Sequence, residues 1–376
     1  MAKITVLGGG MVGSAIARSM ANHHSVRLAD RDPNALRNIE HHQIKKIKAD
    51  LSDRAVLNKI IQGTDLVIGA VPGFMGFEVM KNIIEAGCHL VDISFFPENA
   101  LELDKLAKKK KVTVIYDCGV APGMDNILLG HHDLNMKVKL FSCYVGGLPK
   151  IRNFPFEYKA PFSPSDVLEE YTRPARLKEK GVEIVKPALT DLEYIRAHQG
   201  MKLEAFNSDG LRSLLITMKH IPDMKEKTLR YPGHAAQMEF LREAGLLDKK
   251  TTKTKLGPVV PLELTSQLLF KHWKYKPEEE DFTFMRTIIE GLEQGKKIRY
   301  TYDLYDEYDK KTKLSAMART TGLTACAVAE LVLVKKLSAP GVFPPETLGR
   351  DKFCFDFILD YLKAHNIHYK KKKKYL

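Results

Sequence analysis

Cysteine is scarce, and its placement is uninformative for bridging. The five residues (Cys88, Cys118, Cys143, Cys326 and Cys354) are scattered, odd in number and without a CxxC spacing. That excludes a disulfide framework and a zinc knuckle, and no metal site is expected. No apolar run approaches the roughly 20 residues that a membrane span requires, so no membrane partner is expected. The opening Met1-Ala2-Lys3-Ile4-Thr5-Val6-Leu7 runs straight into glycines. It offers no signal core with a small-residue cleavage site, and a cytoplasmic location is expected. The formal charge of +13 raises the question of a nucleic-acid partner, but no basic stripe interleaved with aromatics is present. Lys370 to Lys374 read as an exposed tail, and Lys108 to Lys111 as the cationic end of a helix. The pairs His23-His24, His41-His42 and His131-His132 point in different directions on a regular element and read as surface residues.

A chain of 376 residues accommodates two domains with full cores. In its first third, short β-branched runs (4–7, 26–29, 44–49, 66–70, 89–93 and 112–116) alternate with helical stretches. Met11, Val12, Ala15, Ile16 and Met20 share one face at helical period. Six such units predict an α/β fold with a doubly wound parallel sheet, the Rossmann arrangement.

The first strand runs into Gly8-Gly9-Gly10-Met11-Val12-Gly13. Gly8 allows the tight turn, Gly10 lets the backbone approach a pyrophosphate, and Gly13 lets the helix pack on the strand. Met11 and Val12 place free N–H groups at the positive end of that helix. Asp30 closes the second strand, where a carboxylate binds adenosine ribose hydroxyls and repels a 2′-phosphate, which favours NAD over NADP. Arg31 beside it either stacks on adenine or binds such a phosphate. Asp50 either contacts the adenine edge or caps the helix around residues 53–61. Ala70-Val71-Pro72 follows the fourth strand, on the side where nicotinamide ribose would lie.

Asp117-Cys118-Gly119-Val120-Ala121-Pro122-Gly123-Met124-Asp125-Asn126, together with Val91-Asp92-Ile93-Ser94 upstream, resembles the saccharopine dehydrogenase-like family, and within it the lysine 6-dehydrogenase branch. Tyr144-Val145-Gly146-Gly147-Leu148-Pro149, the segments at 168–175 and 204–212, Thr228-Leu229-Arg230-Tyr231-Pro232-Gly233-His234 and Met317-Ala318-Arg319-Thr320-Thr321-Gly322 extend the resemblance over nearly the whole chain. It implies an NAD-binding domain over 1–125, an α+β substrate and dimerisation domain over 126–314, and a helical segment over 315–369 returning to the first domain. A basic tail fills 370–376. Strands are expected at 139–144, 227–231 and 297–303, with a helix around 324–336 in which Ala327, Leu331 and Val334 share a face. A homodimer is implied.

The implied reaction is NAD-dependent oxidative deamination of the terminal amine of L-lysine. A lysine-type amine has a pKa of about 10.4 and is protonated at neutral pH. It must lose a proton before hydride can leave, so the site needs a base. Asp117, Asp125 and His234 are the candidates, with a helix cap as the competing role of Asp125. Cys118 reads as a small buried residue. Arg230 and Arg212, with Arg173 behind them, are candidates for the substrate carboxylate, which suits a bidentate guanidinium. Ser94, Tyr171 and Asp209 complete the pocket, Asp209 toward the amine end. The rivals are a glutamate-forming saccharopine dehydrogenase and a non-catalytic NAD-binding sensor. Glu169 and Glu170 argue against the former, whose substrate carries a second dicarboxylic arm.

Overall fold

The computed structural model describes residues 1–376 apart from Asn38, Glu40, Leu256 and Pro277, and apart from the side chain of Pro164. Two compact units result: Met1–Met136 with Met317–His368, and Lys137–Ala316 with Tyr369–Leu376.

In the first unit the predicted alternation becomes β1 (Lys3–Leu7), β2 (Ser25–Asp30), β3 (Ile44–Lys48), β4 (Leu66–Gly69), β5 (Leu90–Asp92) and β6 (Thr113–Ile115). All pair in parallel, in the order 3-2-1-4-5-6, and Gly341–Phe343 adds a seventh strand beside β6. The order reverses between β1 and β4, and the loops at that carboxyl edge are where such sheets receive ligands. Helix α1 (Met11–Met20) buries Val12, Ala15, Ile16 and Met20. A core including Leu7, Ala29, Leu57, Val67, Ile83 and Val114 lies beneath one face of the sheet.

Several local expectations shift. Asp50 does not cap the next helix: its Oδ1 accepts from the Ser52 N–H at 3.0 Å and the Ser52 hydroxyl at 2.6 Å. Asp53 is the cap, accepting from the N–H groups of Ala55 and Val56. The helix foreseen at 324–336 spans Ala316–Leu333 instead. Ala327 and Leu331 are buried in it, but Val334 follows in a turn and is 59% exposed. This helix is long and apolar enough to cross a membrane by length and composition, and 83% of it is buried in the protein, as in a core helix. The helix Met124–Asp133, assigned above to the second domain, belongs to the first unit.

The second unit is built on a nine-stranded mixed sheet. The strands expected at 139–144, 227–231 and 297–303 are Lys137–Pro149, Asp223–Arg230 and Lys296–Glu307. An aromatic core with Tyr158, Tyr171, Phe206, Trp273, Phe282 and Phe284 covers one face. The basic tail is not loose. Tyr369–Tyr375 forms an antiparallel strand against Lys296–Glu307. Lys371 lies 4.7 Å over the Tyr300 ring, and Lys373 pairs with Glu293 at 2.9 Å. Long lysine stems cover apolar rings while their ammonium groups stay wet. Such a strand also blunts a sheet edge against pairing with other chains. Removal of residues 369–376 should therefore leave the first unit folded and make the protein self-associate, read as faster sedimentation; an unchanged sedimentation profile would contradict this role.

Candidate functional site

Each unit contributes a buried polar arrangement that bears on function. In the first, the backbone of Gly8 has φ +103°, and a Cβ there would lie 2.2 Å from the Ala70 carbonyl. At Gly13 a Cβ would lie 2.0 Å from the Gly8 carbonyl. Those two positions hold β1, the start of α1 and the Ala70-Val71-Pro72 turn in close contact. Gly10, by contrast, has nothing within 4 Å of where a Cβ would sit. It is the N-cap of α1, and the first N–H groups of that helix, those of Met11, Val12 and Gly13, have no partner within the helix itself. Asp30 accepts from the Gly9 N–H at 2.6 Å and from the Asp32 N–H at 2.8 Å. A carboxylate has about four acceptor positions, so two remain for ribose hydroxyls. Arg31 and Asp50 are exposed beside it. The glycine cradle and Asp30 thus fit a dinucleotide.

At the same carboxyl edge of the sheet, three carboxylates are buried: Asp92 at the end of β5, Asp117 after β6, and Asp125 in the first turn of Met124–Asp133. Asp125 is not the helix cap, which is Gly123; its Oδ1 accepts from the Gly123 N–H at 3.0 Å. Asp117 has φ +54°, a conformation uncommon outside glycine. Asp92 was not anticipated. It accepts from the Ser94 N–H at 2.8 Å and the Ser94 hydroxyl at 3.2 Å, and its carbonyl accepts from the Cys118 N–H at 3.0 Å. Ser94 is therefore bound to Asp92 and buried. A charged residue closing a strand within Val91-Asp92-Ile93-Ser94 was the available signal. Burial, with the charges of Asp117 and Asp92, pushes the Cys118 thiol well above its ordinary range, so it is an inert thiol.

In the second unit, Arg230, Tyr171 and His234 do come together, but as a closed interior network. Arg230 is 2% exposed. Its Nη2 donates to Glu170 and to the Tyr158 hydroxyl at 3.2 Å, and its Nε donates to the Tyr171 hydroxyl at 3.1 Å. The guanidinium also lies 4.3 Å over the Tyr158 ring. His234 Nδ1 faces the Phe156 carbonyl at 3.1 Å, so that nitrogen carries the proton. Its Nε2 then accepts from Tyr171, at 3.0 Å. Glu204 positions this histidine by capping its helix, accepting from the N–H groups of Gly233 and Ala235. Burial raises the Glu170 carboxyl despite the Arg230 charge beside it.

This arrangement corrects three expected roles. Arg230 already holds a carboxylate, so it is not a vacant fork for a substrate. His234 is not a free base: its lone pair is engaged, and burial, with the Arg230 charge, pushes its pKa down to about 3. Asp209 does not await an amine, because Arg176 grips it bidentately at 2.9 Å for both bonds. Arg173 pairs with Glu169 at 3.4 Å, and Arg212 is buried with φ +44°. Glu204 was missed, and Glu170 was read only as disfavouring a dicarboxylic arm, because each meets its partner only through tertiary packing.

A histidine with a folded pKa near 3 and an unfolded value near 6.5 takes up its proton on unfolding between those values. Its contribution to stability is complete above about pH 6.5 and is lost as pH falls toward 3, at up to ~1.4 kcal/mol per pH unit. His234→Gln should flatten the decline in urea midpoint between about pH 7 and about pH 5. An equally steep decline in the variant would place the proton uptake elsewhere.

Two family models cover the chain: the saccharopine dehydrogenase NADP binding domain over residues 4–115 and the saccharopine dehydrogenase C-terminal domain over residues 119–367. The alpha-aminoadipic semialdehyde synthase of Mus musculus is 24% identical over 97% of this chain and 47% of its own length. The chain thus spans about half of that relative. The carboxyaminopropylagmatine dehydrogenase of Synechocystis is 23% identical, with 94% of each chain covered. The structure of saccharopine dehydrogenase (L-Glu forming) from Saccharomyces cerevisiae shares the fold, with a TM-score of 0.80 over 100% of both chains at 20% identity. With both of its family models matched along the sequence and the corresponding fold in the structure, the chain belongs to the saccharopine dehydrogenase family.

Proposed function

We propose that the chain is an NAD-dependent dehydrogenase that oxidises the terminal carbon–nitrogen bond of L-lysine. The observation that carries this reading is the set of three buried carboxylates, Asp92, Asp117 and Asp125, at the same sheet edge as the glycine cradle. Gly8 to Gly13 and Asp30 would hold the dinucleotide, which supplies the hydride acceptor when bound. Asp30 supports NAD, although the matching family model is described as binding NADP: a carboxylate at that strand end repels a 2′-phosphate.

In the reaction an ammonium substrate first gives a proton to Asp125 or Asp117. The nitrogen lone pair then forms the C=N bond as hydride leaves the adjacent carbon with its electron pair. Water adds to the resulting imine, and the C–N bond breaks to release ammonia and the aldehyde, which cyclises onto the α-amine. Asp92 acts by holding Ser94 and the Cys118 backbone, and thus the loop that carries Asp117.

A second reading, glutamate-forming saccharopine dehydrogenase, gains from a correction. Glu169 and Glu170 argued against a dicarboxylic substrate arm. Glu169 is neutralised by Lys249 at 2.8 Å and Arg173, and Glu170 by Arg230. Neither therefore repels such an arm. NADH formation with NAD and, separately, lysine, saccharopine and ornithine distinguishes the two. Lysine turnover with one ammonia per NADH, and a higher KM for NADP than for NAD, is expected. Turnover of saccharopine alone, releasing glutamate, would move the function to the second reading.

A further inference from the structure

In the first unit, the loop from Tyr116 to Asn126 carries Asp117 and leads through Asp125 into helix Met124–Asp133. Both its ends are held by one stretch of chain far away in sequence. At the first end the Tyr116 N–H donates to the Phe343 carbonyl at 3.3 Å, extending the parallel pairing of β6 with strand Gly341–Phe343. At the other end the Asn126 side-chain amide donates to the Glu346 carboxylate at 3.0 Å, across 220 residues. Asn126 and Glu346 are both fully buried.

The backbones around this contact are locked together. A Cβ at Gly130 would lie 2.0 Å from the Glu346 carbonyl, and one at Gly349 would lie 2.0 Å from the Ile127 carbonyl. Helix Met124–Asp133 and the short helix Glu346–Gly349 therefore touch backbone to backbone. Further along, the His131 ring stacks on Phe355 at 3.7 Å and Asp133 pairs with Arg350 at 3.0 Å. An ionised carboxylate only accepts, so Glu346 selects the nitrogen side of the Asn126 amide. That turns the Asn126 Oδ1 to the Gly123 N–H, at 3.3 Å. The same N–H donates to Asp125 Oδ1 at 3.0 Å. Glu346 thus fixes which way the Asn126 amide faces, and Asn126 shares its donor with Asp125.

We propose that Glu346 is a positioning residue for Asp125 and for the loop that carries Asp117, acting through Asn126 and Gly123. The proposal rests on the reading that one of those two carboxylates accepts the substrate proton. Glu346 takes no part in the proton and hydride steps. It holds the far end of the loop while Phe343 holds the near end, and Asp92 holds the Cys118 backbone between them. A misplacement of about 1 Å at a reacting group costs up to ~100-fold in rate, so such a clamp bears directly on turnover.

Two substitutions separate the hydrogen bond from the bulk of the side chain. Glu346→Met keeps the length and removes the acceptor, whereas Glu346→Gln keeps an oxygen to accept from Asn126. Hydrogen–deuterium exchange of the peptide spanning residues 116–126 is read by mass spectrometry, with NAD-dependent turnover of lysine or saccharopine in parallel. Glu346→Met should speed that exchange about tenfold and lower kcat about tenfold, with KM for NAD within about twofold of the parent. Glu346→Gln should recover both to within about threefold, a neutral acceptor being the weaker one. The apolar pair Asn126→Leu/Glu346→Met leaves no charge unpaired, so it reads the same loss if the single change unfolds the protein. Unchanged exchange and kcat in that pair, or a Gln variant as impaired as the Met variant, would overturn the proposal. A kcat loss matched by an equal rise in KM for NAD would mark a general structural defect and overturn it as well. A parent that oxidises neither amine refutes the activity reading, and the exchange rates alone then decide whether Glu346 holds the loop.

Discussion

A guanidinium taken out of water constrains everything around it. Removing an isolated charge to a low-dielectric interior costs several kcal/mol even after relaxation, and only a paired, fully hydrogen-bonded geometry offsets it. Arg230 is 2% exposed, and the second unit answers with Glu170, Tyr171, Tyr158 and the Leu229 carbonyl. The two tyrosines have a further consequence. Tyr171 passes the polarity on to His234, which is held neutral and anchored to Phe156. Tyr158 presents its ring to Trp273. The helices carrying Glu170 and His234 are thereby fixed against the strand that ends at Arg230.

The first unit works under a different constraint, close backbone approach rather than charge pairing. The glycine turn brings β1, α1 and the Ala70 turn into contact, and at Gly10 nothing lies within 4 Å of where a Cβ would sit. Three buried carboxylates, Asp92, Asp117 and Asp125, stand on neighbouring loops at the same edge of its sheet. The two units therefore divide the labour. One supplies a glycine cradle with carboxylates at its edge; the other supplies a scaffold built around a paired, buried guanidinium.

The first of these was largely legible in the sequence and the second was not. Strand–helix alternation and the spacing of Gly8, Gly10, Gly13 and Asp30 are local properties, and the sheet follows from them in the expected order. Even the thiol of Cys118 could be read as inert. What a long charged side chain meets is a tertiary property. Arg230 finds Glu170 from 60 residues away and Tyr171 from 59, and no periodicity encodes that. The family-like segments marked these residues as a group, and the arginine was assigned to a substrate carboxylate when the protein supplies its own. The lysine run misled in the opposite sense. Its composition looked like a solvated tail, but alternation against Tyr300 and Tyr302 makes it a strand.

The most direct test of this account is a double-mutant cycle by denaturant unfolding on Arg230→Met and Glu170→Leu. Each single change leaves a buried charge unpaired and should cost ~3–5 kcal/mol. The double variant should lose less than the sum, by about 2–3 kcal/mol of coupling. Single variants within about 0.5 kcal/mol of the parent, or strictly additive losses, would show that the buried pair does not organise the second unit.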